Sequence, residues 1–376
     1  MFDYFLKSAF RGIQSRVVKT LSRLLGILNQ GLILYVQISL KMKTIGTLFL
    51  FYALLMSCTS ESSPRPLVSP PSIDVSAVEY YGQLQVKGNK IVDKNGNPVQ
   101  LRGMSFFWSQ WIGKYYTSQV VKWLKDDWHC NVVRAAMAVE EGGYLTNPAL
   151  EKQKVIEVVD AAIEHGLYVI IDWHDHHAEK HTKESKIFFA EMAKKYGNKP
   201  NIIYETFNEP LQVSWSDVLK PYHQAVIDTI RQHDSDNLII CGTSTWSQDV
   251  DIAANNPLVG INIAYTLHFY SGTHKQGLRD KATAALNKGV ALMVTEFGTT
   301  DASGDGAVNK TETATWWKFL DDNNLSWCNW SVADKVEASA VLKPGASATG
   351  GWSETQLTES GLFVRKEIKD KNFVFK

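Results

Sequence analysis

The chain has 376 residues, which is enough for one large domain or two small ones, so length alone does not force a division into domains. Its 39 basic residues equal its 39 acidic residues, which excludes a global electrostatic field that would favour nucleic acid or an anionic membrane. An uncharged substrate fits this balance best, and the 12 tryptophans offer flat apolar faces suited to sugar rings.

The N-terminal part of the chain carries an export signature. Residues 42–58 have a basic start, a short apolar run and a small residue before Cys58, which is the anatomy of a signal peptide. The last four of these residues resemble the lipobox of bacterial lipoproteins, although Met56 departs from the usual pattern, and this implies cleavage before Cys58 and lipid attachment to it. An ordinary cleaved signal and an uncleaved anchor are the alternatives. All three predict an exported protein, either a lipoprotein of the outer membrane or cell surface or a secreted protein.

Two other segments precede the predicted domain. Residues 1–41 are basic and partly apolar, and an export signal that starts at Met42 does not need them, so we predict a misplaced start codon and Met42 as the true start. Residues 59–78 are rich in Ser and Pro and have few large apolar groups, which predicts a semi-stiff linker. The folded domain is then expected in residues 79–376.

From about Tyr80 onwards, short apolar runs alternate with longer amphipathic stretches, which is the pattern of repeated βα units and a parallel sheet. Before these units, Leu84–Ile91 and the Asn95-Gly96 turn leading to Val99 predict a hairpin that plugs the bottom of a barrel. The predicted strands are Val99–Phe106, Asn131–Met137, Leu167–His174, Ile202–Glu209, Leu238–Thr243, Ile261–Tyr270, Ala291–Gly298 and Leu325–Val332. The chain lacks the glycine-rich phosphate loops common in open doubly wound sheets, so the sequence predicts an α/β fold, a (β/α)8 TIM barrel in one domain.

Helix ends carry their own signals. Asn147 and Pro148 predict the start of the second helix, and His165-Gly166 predicts its end. Ser353 and Gln356 have the spacing of a capping box, which predicts the start of the last helix near Ser353.

Neither a metal nor a cofactor is predicted. The cluster His174-Asp175-His176-His177 with His181 invites a zinc hypothesis, but neighbouring loop residues point in divergent directions and no HExxH motif occurs. The cysteines form no CxxC pair, and Cys130, Cys241 and Cys328 lie in or beside apolar runs, so we expect them to be buried free thiols.

Two glutamates end predicted strands, and the C-terminal ends of strands are where such barrels build their active sites. Glu209 ends the fourth predicted strand and Glu296 lies on the seventh. Glycosidic cleavage requires this pair of residue types, one acid to protonate the leaving oxygen and one carboxylate to attack the anomeric carbon. A carboxyl separation of about 5 to 5.5 Å would predict retention of configuration, and one near 9 Å inversion. The alternative is that each glutamate only pairs with a nearby cation.

Asn208-Glu209-Pro210 after an apolar strand, together with Glu296-Phe297-Gly298, resembles glycoside hydrolase family 5, the cellulase family A, of the bacterial endo-β-1,4-glucanase type. Other motifs agree in order and extend the resemblance over nearly all of residues 79–370: Arg102-Gly103-Met104-Ser105, Asn131-Val132-Val133-Arg134, Asp172-Trp173-His174, Thr245-Trp246-Ser247-Gln248-Asp249, His268-Phe269-Tyr270, Asn329-Trp330-Ser331 and Asp334-Lys335. The resemblance implies a retaining cellulase that cuts internal β-1,4-glucosidic bonds through a covalent glycosyl-enzyme and uses no metal.

The resemblance also implies roles for the matching residues. Glu209 matches the acid/base, Glu296 the nucleophile, and Asn208 the residue that hydrogen-bonds the sugar 2-hydroxyl. Arg134 and Tyr270 match the groups that keep the nucleophile ionised and oriented. We therefore expect Arg134 to lower the pKa of Glu296, and burial near an opposing carboxylate to raise the pKa of Glu209.

The remaining matches concern sugar subsites. His174 and His268 match histidines of the catalytic subsite, and Trp330 matches the aromatic platform there. Neighbouring subsites are matched by Trp111, Trp246, Lys335 and Glu337, with a core role as the alternative for the two tryptophans. Phe107 stands where similar endoglucanases carry a sugar-contacting histidine, and Ala138 where some relatives have an aromatic residue. Both differences affect the choice of glycan more than the chemistry.

Two other functions stay open. A mannanase, xyloglucanase or mixed-linkage glucanase differs only in pocket contacts that motifs do not resolve. A non-catalytic glycan-binding lipoprotein is more remote, because both glutamates, Asn208 and Arg134 are present. The predicted partner is a β-glucan polysaccharide or oligosaccharide. We expect no nucleic acid, a membrane contact only through Cys58, and a monomer.

Overall fold

The computed structural model describes residues 71–376. The predicted upstream extension, the signal peptide with Cys58 and residues 59–70 of the predicted linker lie outside the described residues. The end of that linker is folded, because strand β1 (Ser72–Ile73) lies within it and the helix Ala77–Tyr81 begins in it. Strand β1 pairs in parallel with β12 (Val374–Phe375) near the end of the chain. The domain therefore begins several residues before position 79. None of the helices in residues 71–376 is long and apolar enough to cross a membrane.

Eight parallel strands form a closed barrel, which confirms the predicted fold. In chain order they are β4 (Arg102–Phe106), β5 (Val132–Ala138), β6 (Tyr168–His174), β7 (Ile202–Glu205), β8 (Leu238–Cys241), β9 (Ile263–Tyr270), β10 (Ala291–Gly298) and β11 (Trp327–Val332). Each strand pairs with the next one along the chain, and β11 closes the ring against β4. All C-terminal ends therefore face the same side, which we call the open end, and all N-terminal ends face the closed end.

Helices follow every barrel strand and cover the outside. Besides the distorted turn Ser244–Ser247, the α-helices that follow the barrel strands are Ser109–Ile112, Ser118–Asp126, Pro148–Glu164, Thr182–Tyr196, Lys220–Ile230, Val250–Asn255, Gln276–Asn287, Lys310–Asn323 and Glu359–Lys371. The second βα unit has its helix at the predicted bounds, with Asn147 and His165 in the cap positions. The prediction for the last helix was wrong. Ser353 begins only one 3-10 turn, because Leu357 is extended and bridges to Leu342, and the helix starts after Thr358.

A hairpin fills the closed end, as predicted, but its turn lies at Gly88-Asn89 and not at Asn95-Gly96, which leads only to the bridge between Val92 and Pro98. Strands β2 (Gln85–Lys87) and β3 (Lys90–Val92) pair antiparallel, and Gly96 adopts the left-handed backbone that the following turn requires. Leu84 and Ile91 of this hairpin are buried in one cluster with the interior side chains at the closed end of the barrel. The interior of the closed end is therefore apolar.

Along several barrel strands the interior positions change from apolar to polar. In β5 the inward residues step from Val132 to Arg134, and in β6 from Ile170 to Asp172. This follows from the two-residue period of a strand, since alternate residues face the same side. The polar positions cluster at the open end, above the apolar layer.

Strand β10 contains an irregularity that matters for the site. Its register against both neighbours shifts between residues 293 and 297, which is the signature of a β-bulge. Leu292 and Val294 pack outward against the helices, whereas Thr295 and Glu296 both contact interior polar groups. A regular strand would point one of these consecutive residues outward, so the bulge brings both into the interior.

The three cysteines in the described range, Cys130, Cys241 and Cys328, are free and buried, as predicted. Burial raises the pKa of the Cys241 thiol to about 12, which keeps it protonated and unreactive.

Candidate active site

Arg134 lies at the centre of the polar layer and is fully buried. Its Nε donates to Glu205 at 2.7 Å, its Nη1 to Glu296 at 3.0 Å, and its Nη2 lies 2.9 Å from Asp172. Nη2 also donates to Oδ1 of Asn208 at 2.7 Å. One guanidinium therefore organises carboxylates from three strands, a task for which its planar fork of donors is suited.

Both carboxylate oxygens of Glu296 are held. Oε2 accepts from Arg134, and Oε1 accepts from the Tyr270 hydroxyl at 2.8 Å. Burial raises the pKa of Tyr270 well above its ordinary range, so this hydroxyl remains a neutral donor. The two contacts fix the direction of the carboxylate, as the predicted orienting role of Arg134 and Tyr270 requires.

Glu209 does not lie on the strand where the sequence placed it, because β7 already ends at Glu205. It occupies the following loop, whose backbone is tied back to β6: Asn208 N–H donates to the Trp173 carbonyl and Glu209 N–H to the Asp175 carbonyl, each at 3.2 Å. Its Oε1 lies 2.9 Å from Nδ1 of His268. These contacts fix the position of Glu209 although it lies in a loop.

The pKa of Glu209 shifts in the expected direction, whereas the pKa of Glu296 does not. Burial raises the pKa of Glu209 to about 7, while His176 and Arg134 oppose the rise. The expected lowering for Glu296 was wrong as a net direction, since burial and the Glu209 charge raise its pKa as well. His268, Arg134 and Tyr270 act against this rise. Arg134 acts in the expected direction, but burial outweighs it.

A carboxylate oxygen of Glu209 and one of Glu296 lie within 4.8 Å of each other. This spacing is shorter than the roughly 6.5–9.5 Å separation of carboxyl groups that inversion requires. It fits a pair in which one group attacks the anomeric carbon directly and the other handles the proton.

Asn208 and His174 complete the floor of the site. Because Oδ1 of Asn208 accepts from Arg134, its amide nitrogen is the end that can donate to a ligand. Nδ1 of His174 lies 2.7 Å from Asp172, and its ring stacks on Trp330 with centroids 5.2 Å apart and planes 8° apart. Trp330 in turn packs against Phe107 at 5.1 Å. These contacts make a rigid, partly aromatic floor.

A cleft of about 540 Å³ opens beside Glu209. Its lining includes His176, Glu209, Trp246, His268 and Tyr270. Trp246 is 38% exposed and lies in a turn whose residues 245–247 all have left-handed backbone angles, each costing about 1–3 kcal/mol in a non-glycine residue. Hydrogen bonds from the Trp246 N–H to the Pro210 carbonyl and from the Ser247 hydroxyl to the Asn208 carbonyl hold this turn on the loop that carries Glu209. Such strain is typical of functional sites.

The other predicted subsite residues form a rim. Trp111 is 55% exposed and stands 5.3 Å from the ring of Trp108, so it has no core role. Lys335 pairs with Glu337 and lies 5.4 Å above the ring of Phe107. Ala138 is fully buried at the end of β5 and offers no exposed surface.

The five residues of the zinc hypothesis separate into two groups. His174 contacts Asp172 and His176 lines the cleft, whereas His177 pairs with Glu140 at 3.0 Å and His181 with Asp175 at 2.8 Å. Ligand atoms of Glu140, Asp175 and His181 do lie within 4.8 Å of one another. They also hydrogen-bond or pair among themselves, so an ion pair network accounts for them.

Sequence reasoning missed two buried residues of this site, Glu205 and Thr295. Glu205 accepts from Arg134 and, at 2.6 Å, from the Thr295 hydroxyl. The available signal for Glu205 was a glutamate directly after the apolar run Ile202–Tyr204, since such a residue is buried only with a partner.

The chain matches the family model "Cellulase (glycosyl hydrolase family 5)" over residues 92–336. It is 49% identical over 303 residues to an endoglucanase of Clostridium saccharobutylicum, an alignment that covers 80% of this chain and 68% of that protein. It is 53% identical over 290 residues to endoglucanase Z of Dickeya dadantii, with 76% and 66% covered. The chain thus spans about two thirds of the length of these relatives.

Solved structures agree. A protein from Cytophaga hutchinsonii is 58% identical with a TM-score of 0.79, and the match covers 79% of this chain and 97% of that one. The catalytic domain of a Thermobifida fusca endoglucanase is 36% identical with a TM-score of 0.75, covering 77% and 98%, and it has also been solved with cellotetraose. The chain therefore belongs to glycosyl hydrolase family 5, the cellulase family, and is a glycoside hydrolase.

Proposed function

We propose that this enzyme is a retaining endo-β-1,4-glucanase, with Glu296 as nucleophile and Glu209 as acid/base. The observation that carries the proposal is the pair of carboxyl groups within 4.8 Å of each other in unlike surroundings. Glu296 receives hydrogen bonds from a guanidinium and a phenol, and Glu209 faces a neutral imidazole. These contacts favour an ionised nucleophile beside a protonated acid.

In the first step, Glu296 attacks the anomeric carbon while Glu209 donates its proton to the leaving oxygen. A covalent glycosyl-enzyme forms, and the aglycone part of the glucan leaves as an alcohol. The Asn208 amide is placed to donate to a sugar hydroxyl, an interaction that accelerates the reaction if it strengthens in the transition state.

In the second step, Glu209 acts as a base. It takes a proton from water, whose oxygen attacks the anomeric carbon and releases Glu296. Two inversions then give net retention. Because the first step needs protonated Glu209, kcat/KM should fall as the pH rises above about 7, where Glu209 loses its proton.

We infer the substrate from the names of the relatives and from the exposed tryptophans at the rim of the site. The curated relatives are named endoglucanases. The exposed rings of Trp111 and Trp246 give this chain apolar surfaces suited to the faces of glucose units in a long chain. We therefore expect cuts at internal bonds of a cellulose-like polysaccharide.

A substrate panel tests the proposal. Soluble cellulose derivatives should be cleaved faster than mannan, xyloglucan and mixed-linkage glucan, and their viscosity should fall before much reducing sugar appears. If mannan were cleaved faster, the enzyme would be a mannanase on the same scaffold. NMR of the first product should show the β-anomer, whereas an initial α-anomer would contradict retention. Absence of turnover on every glycan and on a chromogenic cellobioside would favour a glycan-binding protein.

We further propose that the enzyme is an exported monomer, anchored by a lipid on Cys58. The signal-peptide pattern of residues 42–58 supports export, and the lipobox-like end supports lipidation. Labelling with radioactive palmitate should mark the wild-type chain and not Cys58→Ala. Labelling of neither would leave the ordinary cleaved signal as the better account. Light scattering during size-exclusion chromatography tests the monomer.

A further inference from the structure

Glu205 and Thr295 have no part in the two steps described above, although both are completely buried beside the reacting groups. Glu205 lies at the end of β7, and Thr295 lies in the bulge of β10. Both approach the imidazole of His268 on the side away from Glu209. Their hydrogen bonds decide which ring nitrogen of His268 carries a proton.

The Thr295 hydroxyl has three neighbours. Its Oγ1 lies 2.6 Å from Oε1 of Glu205 and 2.9 Å from Nε2 of His268, and it also contacts the Thr266 hydroxyl. A hydroxyl donates one hydrogen and accepts two. Glu205 can only accept as a carboxylate, and Arg134 at 2.7 Å from its other oxygen favours that form. The Thr295 hydrogen therefore points to Glu205, and His268 and Thr266 must donate to Thr295.

This direction places the proton of His268 on Nε2. Burial lowers the pKa of His268 to about 4, so the ring is neutral near pH 7 and has only one N–H. Its Nδ1 is then an acceptor, 2.9 Å from Oε1 of Glu209. A protonated Glu209 can donate a hydrogen bond to Nδ1 of His268. An ionised Glu209 has no hydrogen to donate, so its oxygen would face the Nδ1 lone pair.

We propose that Thr295, anchored by Glu205, fixes His268 as the Nε2–H tautomer and so withholds a hydrogen-bond donor from Glu209. The opposite tautomer would donate from Nδ1 and stabilise the Glu209 carboxylate. Thr295 is thus a positioning residue that keeps the acid/base protonated in the resting enzyme. His268 keeps its own proton, and the proton that reaches the leaving oxygen comes from Glu209.

Other ionisable groups also face Glu209 and His268. They are Arg134 from β5, Asp172 and His174 from β6, His176 from the loop after β6, Glu205 from β7, Tyr270 from β9 and Glu296 from β10. Replacing Thr295 removes none of these charges. A change caused by that replacement therefore reports on the hydrogen-bond direction rather than on a lost charge.

The direct test is ¹⁵N NMR of the histidine-labelled enzyme, with the His268 signals assigned from a His268→Asn variant. The wild type should show protonated Nε2 and bare Nδ1 at pH 6 to 7. In Thr295→Val the Nδ1–H form should become populated. Two matched variants serve as controls: Thr295→Ser keeps the hydroxyl, and Thr266→Val removes a buried hydroxyl that only donates to Thr295. Both should retain the wild-type tautomer.

The kinetic test, which rests on the proposed function, is the pH dependence of kcat/KM for an aryl cellobioside with a poor leaving group. The alkaline limb should move to lower pH by roughly one unit in Thr295→Val, the scale of one hydrogen bond to a charged group. It should stay in place in Thr295→Ser. A good leaving group, which needs little acid assistance, should show a smaller loss of rate in Thr295→Val.

A wild-type His268 with its proton on Nδ1 would overturn the inference, even if Thr295→Val failed to fold. So would a Thr295→Val enzyme with an unchanged tautomer and an unchanged alkaline limb. Lack of turnover by the wild type on any glycan would instead contradict the proposed function, and the NMR test would still decide the tautomer.

Discussion

The two ends of the barrel are built from the same strands and serve opposite purposes. At the closed end, inward residues such as Val132, Ile170 and Met293 pack with the hairpin in an apolar cluster. One step further along the strands, the inward residues are Arg134, Asp172 and Thr295. The first layer stabilises the fold by burying apolar surface. The second layer buries charges, which costs free energy unless they are well paired.

This difference predicts that substitutions at the two ends have separable effects. Changes at the closed end should lower the free energy of unfolding and leave the chemistry of the folded enzyme intact. Changes to the buried charged groups of the open end should abolish turnover, with stability effects that depend on the charges left behind. Arg134 should affect both stability and turnover, because it pairs with buried carboxylates and also binds Glu296.

The largest effect is expected for Glu296→Gln, which removes the proposed nucleophile. The kcat should fall by at least about 10⁴-fold, on the scale seen when a covalent nucleophile is removed. The free energy of unfolding should stay within about 1 kcal/mol of wild type, because Arg134 keeps Asp172 and Glu205 as partners. Turnover of a chromogenic cellobioside and denaturant unfolding measure the two quantities. As a control, Glu191→Gln removes an exposed carboxylate and should change neither.

Arg134→Met should affect both quantities. It leaves Asp172, Glu205 and Glu296 buried without their shared cation, which should lower the free energy of unfolding by about 3–5 kcal/mol at pH 7. Folded-state carboxyl pKa values then lie above the unfolded values, so stability should recover as the pH falls to 5 and protons bind. Unfolding at both pH values measures this. Arg365→Met, which breaks a partly exposed pair with Asp127, should cost only about 1 kcal/mol. An Arg134→Met enzyme equally stable at pH 7 and 5 would argue against buried carboxylates as the cause.

At the closed end, Leu84→Ala should lower the free energy of unfolding by about 2–5 kcal/mol, since it opens a cavity in the apolar cluster. The kcat at 25 °C should stay within about twofold of wild type, because the residue belongs to a layer without reacting groups. Leu84→Met preserves volume and should cost less than about 1.5 kcal/mol. A large loss of kcat in folded Leu84→Ala would contradict the prediction that the closed end affects stability and not the chemistry.

The smallest effect is expected for Trp246→Ala, at the rim of the open end. Loss of the ring should raise KM for oligosaccharides by about 5- to 30-fold, or roughly 1–2 kcal/mol. The kcat should be nearly unchanged, because the ring does not contact the reacting carboxylates. Trp246→Phe should show a smaller rise. A fall in kcat without a rise in KM would mean that the strained turn positions Glu209 instead.

The sequence by itself determined the architecture and singled out the two glutamates as candidates. Strand-length apolar runs and the spacing of polar residues at their ends are local properties, so the eight strands and the hairpin were predictable. The signals at Ser353 and Gln356 were also local, but they misplaced the last helix because Leu357 is held extended by a bridge to Leu342.

Only the tertiary structure decided how the polar layer is connected. Residues on β5, β7, β9 and β10 meet through barrel closure, so the contacts of Glu205 with Arg134 and Thr295 cannot be read from their spacing in the chain. The bulge that turns both Thr295 and Glu296 inward depends on two neighbouring strands. The pKa of Glu296 rises for the same reason, because burial is a property of the whole barrel and outweighs one nearby guanidinium.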